Sequence, residues 1–155
     1  MADEALRVSV MTAEGKLFEG EASFVVVPAA DGELGVLPRH VPLLTTLTAG
    51  GVRIETAGEE EVFFVSGGFA DIGREGDDQE RTVVTVLADA GERGHDIDEA
   101  RAEEARKRAQ EMLARQLSAE QYAEAAALLE RSAARIRVAD YSKRRRGRRE
   151  PSARG

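Results

Sequence analysis

The chain has 155 residues, with 22 Lys+Arg, 29 Asp+Glu, no cysteine and no tryptophan. That length allows one ordinary domain or a small domain with an appendage, and the missing cysteines exclude disulfides, thiolate metal sites and a cysteine nucleophile. The net charge of −7 divides unevenly: residues 1–90 carry −11 (6 basic, 17 acidic), residues 91–142 carry −2 (9 and 11), and residues 143–155 carry +6 (7 and 1). Three segments of different charge predict three units with different roles.

Asp3 and Glu4 stand where a secretory or organellar leader would be basic, and apolar runs such as 24–27 are far too short to span a bilayer. The expectation is a soluble chain that acts at a membrane only through a partner. Leu6, Val8 and Val10 then alternate with Arg7 and Ser9, the period of a half-buried strand. Further strands are predicted at 15–19, 24–27, 36–37 and 43–47. Val52 and Ile54 alternate with Arg53 and Glu55, and β-rich runs follow at 62–65, 68–72 and 83–87. Thirteen of the 15 glycines lie at or before Gly94, beside Pro28, Pro38 and Pro42. About eight to ten short strands joined by turns predict an antiparallel β-sandwich over residues 1–90.

From His95 to Ser142 there is neither Gly nor Pro, which reads as helix. Asp96 with Glu99, and Ser118 with Gln121, have capping-box spacing. Helices are therefore predicted over 97–117 and 119–141, as an antiparallel two-helix hairpin within a second unit, 91–142. The fold class is mixed, β then α. The helical segment carries thirteen alanines beside few large apolar residues such as Ile97, Met112, Leu128 and Val138. Alanine favours helix but buries little area on packing. The same residues could form a hairpin or one rod of roughly 65 Å at 1.5 Å per residue.

Residues 143–155 open with Lys143, Arg144, Arg145 and Arg146, a like-charge block expected to be a disordered tail. No aromatic residue interleaves these arginines to stack on bases, so no nucleic-acid partner is expected. Neither His40 nor His95 has a second histidine or a cysteine at ligand spacing, so no metal is expected. There is no glycine-rich phosphate loop and no evident catalytic base, which predicts no catalytic residues and no required cofactor.

Three runs carry a family resemblance: GELGVLPRHVPLLTTL at 32–47, FVSGGFADI at 64–72 and VTVLADAGERGHDID at 84–98. In this order, followed by a Gly-free helical segment, they resemble the epsilon subunit of bacterial F-type ATP synthases over residues 6–142. The resemblance implies a non-catalytic central-stalk subunit at the cytoplasmic face of the bacterial plasma membrane. It implies that one sandwich face grips the gamma subunit and that the turns face the membrane ring of c subunits, with Glu33 and His40 as ring contacts. It also implies inhibition of ATP hydrolysis, with the extended helices reaching the alpha and beta catalytic subunits.

Residues 97–102 (Ile-Asp-Glu-Ala-Arg-Ala) are similar to the motif by which some epsilon subunits bind ATP as a regulatory ligand. By that similarity Ile97, Asp98, Arg101 and Ala102 are nucleotide-site candidates, with Glu92 on the adenine side. Asp98 and Arg101 are three apart and share a helix face; Arg108 follows on a nearby one, and Arg131 and Arg135 are four apart on the second helix. In a hairpin these arginines could converge on a triphosphate. The alternative is a free-standing nucleotide-responsive module without a rotary partner. Two features depart from the family pattern: Arg39 stands where many members have Gly or Asn, and 73–81 is a long acidic connection.

Overall fold

The computed structural model describes residues 5–77 and 79–148. The chain divides into two compact units, residues 1–93 and 94–155. The division falls three residues beyond the expected one, because Gly91–Arg93 forms a last strand that pairs with an earlier one.

Among the described residues the first unit contains ten strands: β1 (Leu6–Thr12), β2 (Gly15–Ala22), β3 (Phe24–Ala29), β4 (Gly32–Val36), β5 (Leu43–Leu47), β6 (Gly50–Thr56), β7 (Glu59–Val65), β8 (Gly68–Glu75), β9 (Arg81–Ala88) and β10 (Gly91–Arg93). Their order is β10-β7-β6-β3-β5-β8-β9-β1-β2, with β4 on β3. All pairs are antiparallel except β1 with β9, which is parallel. The antiparallel sandwich expected from the sequence thus holds with this one parallel pair, which joins the first strand to the ninth, a distance along the chain that no local pattern encodes.

The alternation read from the sequence is the burial pattern. Leu6, Val8 and Val10 of β1, Val52 and Ile54 of β6, and Val84 and Val86 of β9 are fully enclosed in one core with Val25, Val27, Phe63, Val65 and Ile72. The sheet path closes on itself as a sandwich. Phe18 of β2 meets Phe63 of β7 edge-on with ring centroids 5.9 Å apart, and Arg93 Nη2 donates to the Leu17 carbonyl at 3.0 Å. In β3 every residue from Val25 to Pro28 is buried, as an uninterrupted β-branched run predicts for a strand covered on both faces. Pro28 is tolerated because its carbonyl points to the side where Thr48 N–H donates at 2.9 Å. A strand residue's N–H lies on the side of its own carbonyl, so the missing donor takes nothing from the β4 ladder.

Before β5 the chain turns through Pro38, with His40 N–H donating to the Leu37 carbonyl at 3.1 Å. Arg39 has φ 69°, so the departure from the family pattern carries real backbone strain. Contacts to its backbone on both sides hold it. Arg39 N–H donates to Thr82 Oγ1 at 2.8 Å, and Arg74 Nη2 donates to the Arg39 carbonyl at 3.0 Å. Thr82 is only 2% exposed, so Thr82→Val leaves the Arg39 amide without its buried acceptor. The expected cost in urea unfolding is about 1–2 kcal/mol, with Thr82→Ser retaining most of the stability.

The connection 73–81 is shorter than expected. β8 and β9 stay paired through Glu75 and Arg81, helped by Arg7 at 3.5 Å from Glu75, which leaves a turn at 76–80. Its Asp78 lies outside the described residues.

The second unit opens with a 3-10 turn, Gly94–Asp96, followed by α1 (Glu99–Leu113) and α2 (Ala119–Gly147). Asp98 is the N-cap of α1, its Oδ1 accepting from Arg101 N–H at 3.1 Å. This replaces the expected Asp96 cap, because Asp96 belongs to the 3-10 turn. α1 stops at Leu113 instead of 117, with Ala114 N–H on the carbonyls of Gln110 and Glu111. The Ser118–Gln121 capping box is complete, with bonds of 3.2 and 3.1 Å. α2 continues through Gly147, so residues 143–147 are helical and not a disordered tail; residues 149–155 lie outside the described residues. Two contacts offset the repulsion there: Lys143 Nζ lies 2.5 Å from Glu99, and Arg145 stacks over Tyr141 at 5.9 Å. The favourable field at a helix C-terminus adds to them.

The helices pack as an antiparallel hairpin, since Lys143 near the end of α2 reaches Glu99 at the start of α1. Their interior is small: Ala102 and Ala109 of α1, with Ala125, Ser132, Ala134, Val138 and Ala139 of α2. Ser132 satisfies its hydroxyl on the Leu128 carbonyl at 2.7 Å. Burial of methyl-sized groups stabilises the pairing far less than leucines would.

Candidate functional site

Strand parity creates an outer face on the sandwich that the core does not use. Ala70 and Ile72 of β8 point inward, so Phe69 and Asp71 point outward. On β9, Val86 and Ala88 are buried and Leu87 faces out; on β5, Leu47 is buried and Leu44 faces out. Ladder register aligns Thr46, Phe69, Leu87 and Met11 in one row across β5, β8, β9 and β1. Leu44 lies in the next row, opposite Asp71. Phe69 is 51% exposed, Leu87 49% and Leu44 69%, and the turn before β5 adds Leu37 and Val41 at 59% and 68%. A cluster of large apolar side chains left in water over a complete core marks a docking surface. No individual residue of this face was expected as a contact, although the alternation in Phe69-Ala70-Asp71-Ile72 held the signal.

The two expected ring contacts are held by neighbours. Glu33 on β4 is exposed and receives both guanidinium nitrogens of Arg53 at 3.2 and 3.3 Å. His40 Nδ1 lies 2.7 Å from the Val41 carbonyl. A shallow cleft of about 320 Å³ is lined by Lys16, Leu17, Phe18, Glu19, Glu61 and Arg93. Its charges pair among themselves, Lys16 with Glu19 and Arg93 with Glu61 at 3.7 Å. The Lys16 hydrogen bond holds the Glu19 carboxyl below its ordinary range.

The nucleotide candidates are distributed unevenly. Glu92 lies on β10 in the first unit, and the others lie in the second. Ile97 and Ala102 are buried, and Asp98 is occupied as the helix cap toward Arg101's own amide. The side chains of Arg101, Arg108 and Arg131 are exposed, and Arg135 is half-buried. Glu103 bonds Arg106 one turn on, which lowers the Glu103 carboxyl and raises Arg106. The hydrogen bond to Glu99 raises Lys143. Among the described residues, no three His, Cys, Asp or Glu side chains are grouped as metal ligands, and no helix is long and apolar enough to cross a membrane.

Two family models match in succession: the ATP synthase delta/epsilon chain β-sandwich domain over residues 5–94, and the delta/epsilon long α-helix domain over 95–140. The chain belongs to the ATP synthase delta/epsilon family and is of the epsilon type. It is 46% identical over 142 residues to ATP synthase epsilon chain 2 of Ralstonia nicotianae, covering 91% of this chain and 97% of that one. Identity to the ATP synthase epsilon chain of Herminiimonas arsenicoxydans is 45% over 133 residues, covering 84% of this chain and 90% of that one. The fold also matches a chain in a cryo-EM structure of Euglena gracilis mitochondrial ATP synthase, with TM-score 0.71, 18% identity, and coverage of 83% and 78%. A chain of the Tetrahymena thermophila central stalk and c-ring is similar with TM-score 0.55, 11% identity, and coverage of 86% and 96%. As an ATP synthase epsilon-type chain, this is an accessory subunit.

Proposed function

We propose that the chain is a rotor subunit of the central stalk of a proton-translocating ATP synthase. Its sandwich docks on the gamma subunit, its turns face the ring of c subunits, and rotation of that ring is coupled through it to ATP synthesis. Its place is the cytoplasmic face of the bacterial plasma membrane, held there only through the complex. The observation that carries this reading is the exposed row Phe69–Leu87 with Leu44 beside it, on a domain whose core is already complete. Mixing the purified chain with gamma at micromolar concentration is expected to give a stable complex on size exclusion; two separate peaks would sink the reading.

A regulatory reading of the hairpin rests on its interior of Ala102, Ala109, Ala125 and Ala134. So little buried area leaves the pairing of α1 with α2 adjustable by ligand. ATP bridging Arg101 and Arg108 with Arg131 and Arg135 would favour the hairpin by RT ln(1 + [L]/Kd), about 2.7 kcal/mol at a hundredfold excess. When ATP falls, the extended helices would reach the alpha and beta subunits and inhibit hydrolysis. Calorimetric titration of ATP into the isolated chain is expected to show saturable binding, weakened about tenfold by Arg101→Ala and by Arg131→Ala. Absence of heat at millimolar ATP would remove the sensor and leave the stalk role untouched.

A further inference from the structure

We propose that the basic end of α2, residues 143–148, is an electrostatic contact for anionic phospholipid headgroups. This contact goes beyond the rotor-subunit reading.

A charge run is folded here where it should repel itself. Five of the six residues 143–148 are cationic, and no acidic side chain stands between Asp140 and Glu150. They lie past residue 140, where the helical domain shared with the family ends. α2 nevertheless continues through Gly147. Two of the cations have partners that account for their place: Lys143 pairs with Glu99 of α1, and Arg145 lies over the Tyr141 ring. Arg144, Arg146 and Arg148 are exposed. Among the described residues no carboxylate pairs with any of these three.

Their arrangement selects the kind of partner. Arg144 and Arg148 are four apart and share one face, and Arg146 between them lies on the other side of the helix. Cations therefore surround the helix end. A protein partner engages one face and builds its affinity around buried aromatic or apolar anchors, and residues 142–149 (SKRRRGRR) offer none. A single strand of nucleic acid needs a ring to stack on; the nearest in sequence, Tyr141, is already covered by Arg145. A surface of mobile headgroups meets cations on every side, and a guanidinium bonds phosphate oxygens through paired, charge-assisted hydrogen bonds.

Two opposing effects set the strength. The carbonyls of a last helical turn carry only about half an elementary negative charge, which five cations exceed. Residues 1–90 carry −11 and are repelled by the same surface. With no apolar side chain to enter the acyl region, the attraction is Coulombic and screened by salt. At physiological salt it does not retain the chain on a membrane by itself; it acts where the complex has already brought the helix end close.

The test measures sedimentation of the full chain with vesicles of phosphatidylglycerol and phosphatidylcholine (about 3:7), or of phosphatidylcholine alone, in about 50 and 300 mM salt. At low salt the parent is expected to bind the anionic vesicles about tenfold more tightly than the neutral ones, and to lose most of that preference at high salt. Each Lys or Arg beside an anionic surface contributes about fivefold in affinity, so the triple variant Arg144→Gln, Arg146→Gln, Arg148→Gln should bind at least about tenfold more weakly. Glutamine retains helix propensity and Lys143 retains Glu99, so its thermal melt should match the parent's. The control Lys107→Gln, Arg115→Gln, Arg137→Gln removes three exposed cations elsewhere in the same unit and should bind as the parent does. Undiminished binding of the first triple variant, or an equal loss in the control, would overturn the inference. So would parent binding that is equal on the two kinds of vesicle. In a second arm, the parent and the first triple variant should rebind alike to detergent-purified ATP synthase lacking this subunit. Weaker rebinding of the variant there would identify a protein partner and overturn lipid as the occupant. Failure of the parent to rebind would remove the rotor-subunit reading, while the vesicle comparison would still decide the lipid contact.

Discussion

The double variant Phe69→Ser, Leu87→Ser is expected to fold normally and to bind gamma about ten- to a hundredfold more weakly. Both side chains stand on the outer face, directly opposite one another in the β8–β9 ladder, and about half of each is in water already. Removing them takes little from the core, which lies on the other side of the sheet. Burying the exposed half of a Phe or Leu side chain at an interface contributes about 0.8–1.5 kcal/mol each, half the value for a fully exposed one. Together they account for roughly 1.5–3 kcal/mol, or about one to two orders of magnitude in Kd. Because they touch as a cross-strand pair, the double variant should differ measurably from the sum of the singles. Titration with gamma by calorimetry, beside a thermal melt of each variant, separates lost docking from lost folding. An unchanged affinity would move the interface to another face.

The largest expected effect on the fold is at Gly68. A Cβ there would lie 2.0 Å from the Leu87 carbonyl oxygen and 3.0 Å from Ala88 Cα. Both are backbone atoms of the paired strand, so no side-chain rotation relieves the clash. The residue also has φ 128°, where L residues are strained. Gly68→Ala must therefore push β9 away from β8 and is expected to cost about 3–5 kcal/mol, strain and overpacking combined. Gly58→Ala is the matched control: φ is 79°, but nothing lies within 4 Å of the added carbon. That variant should cost about 1 kcal/mol. Urea midpoints at constant m-value decide the comparison, and similar losses at the two positions would show that contact with β9 is not what requires glycine at 68.

The outer face and the helical capping show how far local pattern reaches. Alternation in β1, β6 and β9 gave the inward residues directly, because a strand's side chains change face at every step. The same rule puts Phe69 on the face opposite Ile72, but alternation alone does not say which of the two faces the core takes. The exposure of Phe69 follows from β8 lying between β5 and β9 with its other face toward the core. The caps divide in the same way. Ser118 with Gln121 had no rival and forms as spaced. Asp96 was the expected cap of the first helix; the turn that carries the chain out of β10 takes it up and leaves Asp98, inside the expected helix, as the cap.

For the nucleotide candidates, the sequence spacing showed which residues share a helix, while the packed hairpin shows which remain at the surface. Ile97 and Ala102 went to the interior and Asp98 to the cap, leaving Arg101, Arg108 and Arg131 exposed. The basic run makes the same point in charge. As a segment it repels itself; within α2 it gains Glu99 from the neighbouring helix and Tyr141 from its own.

By itself, the amino-acid sequence determined the β-then-α order, most of the strands, the Ser118 cap, the alanine-rich character of the helices and the family. These are set by residue periodicity, by glycine and proline placement and by motif order, all of which act over a few neighbouring residues. Only the tertiary structure decided the parallel β1–β9 pair, the end of α1 at Leu113, the strained Arg39 turn and the exposed row through Phe69 and Leu87. Most of these depend on which distant segment supplies the partner: Val84 for Val8, Thr82 for Arg39, Leu87 for Phe69. Such partners are chosen by the closing of the whole chain, because no local preference distinguishes between surfaces that the fold has yet to bring together.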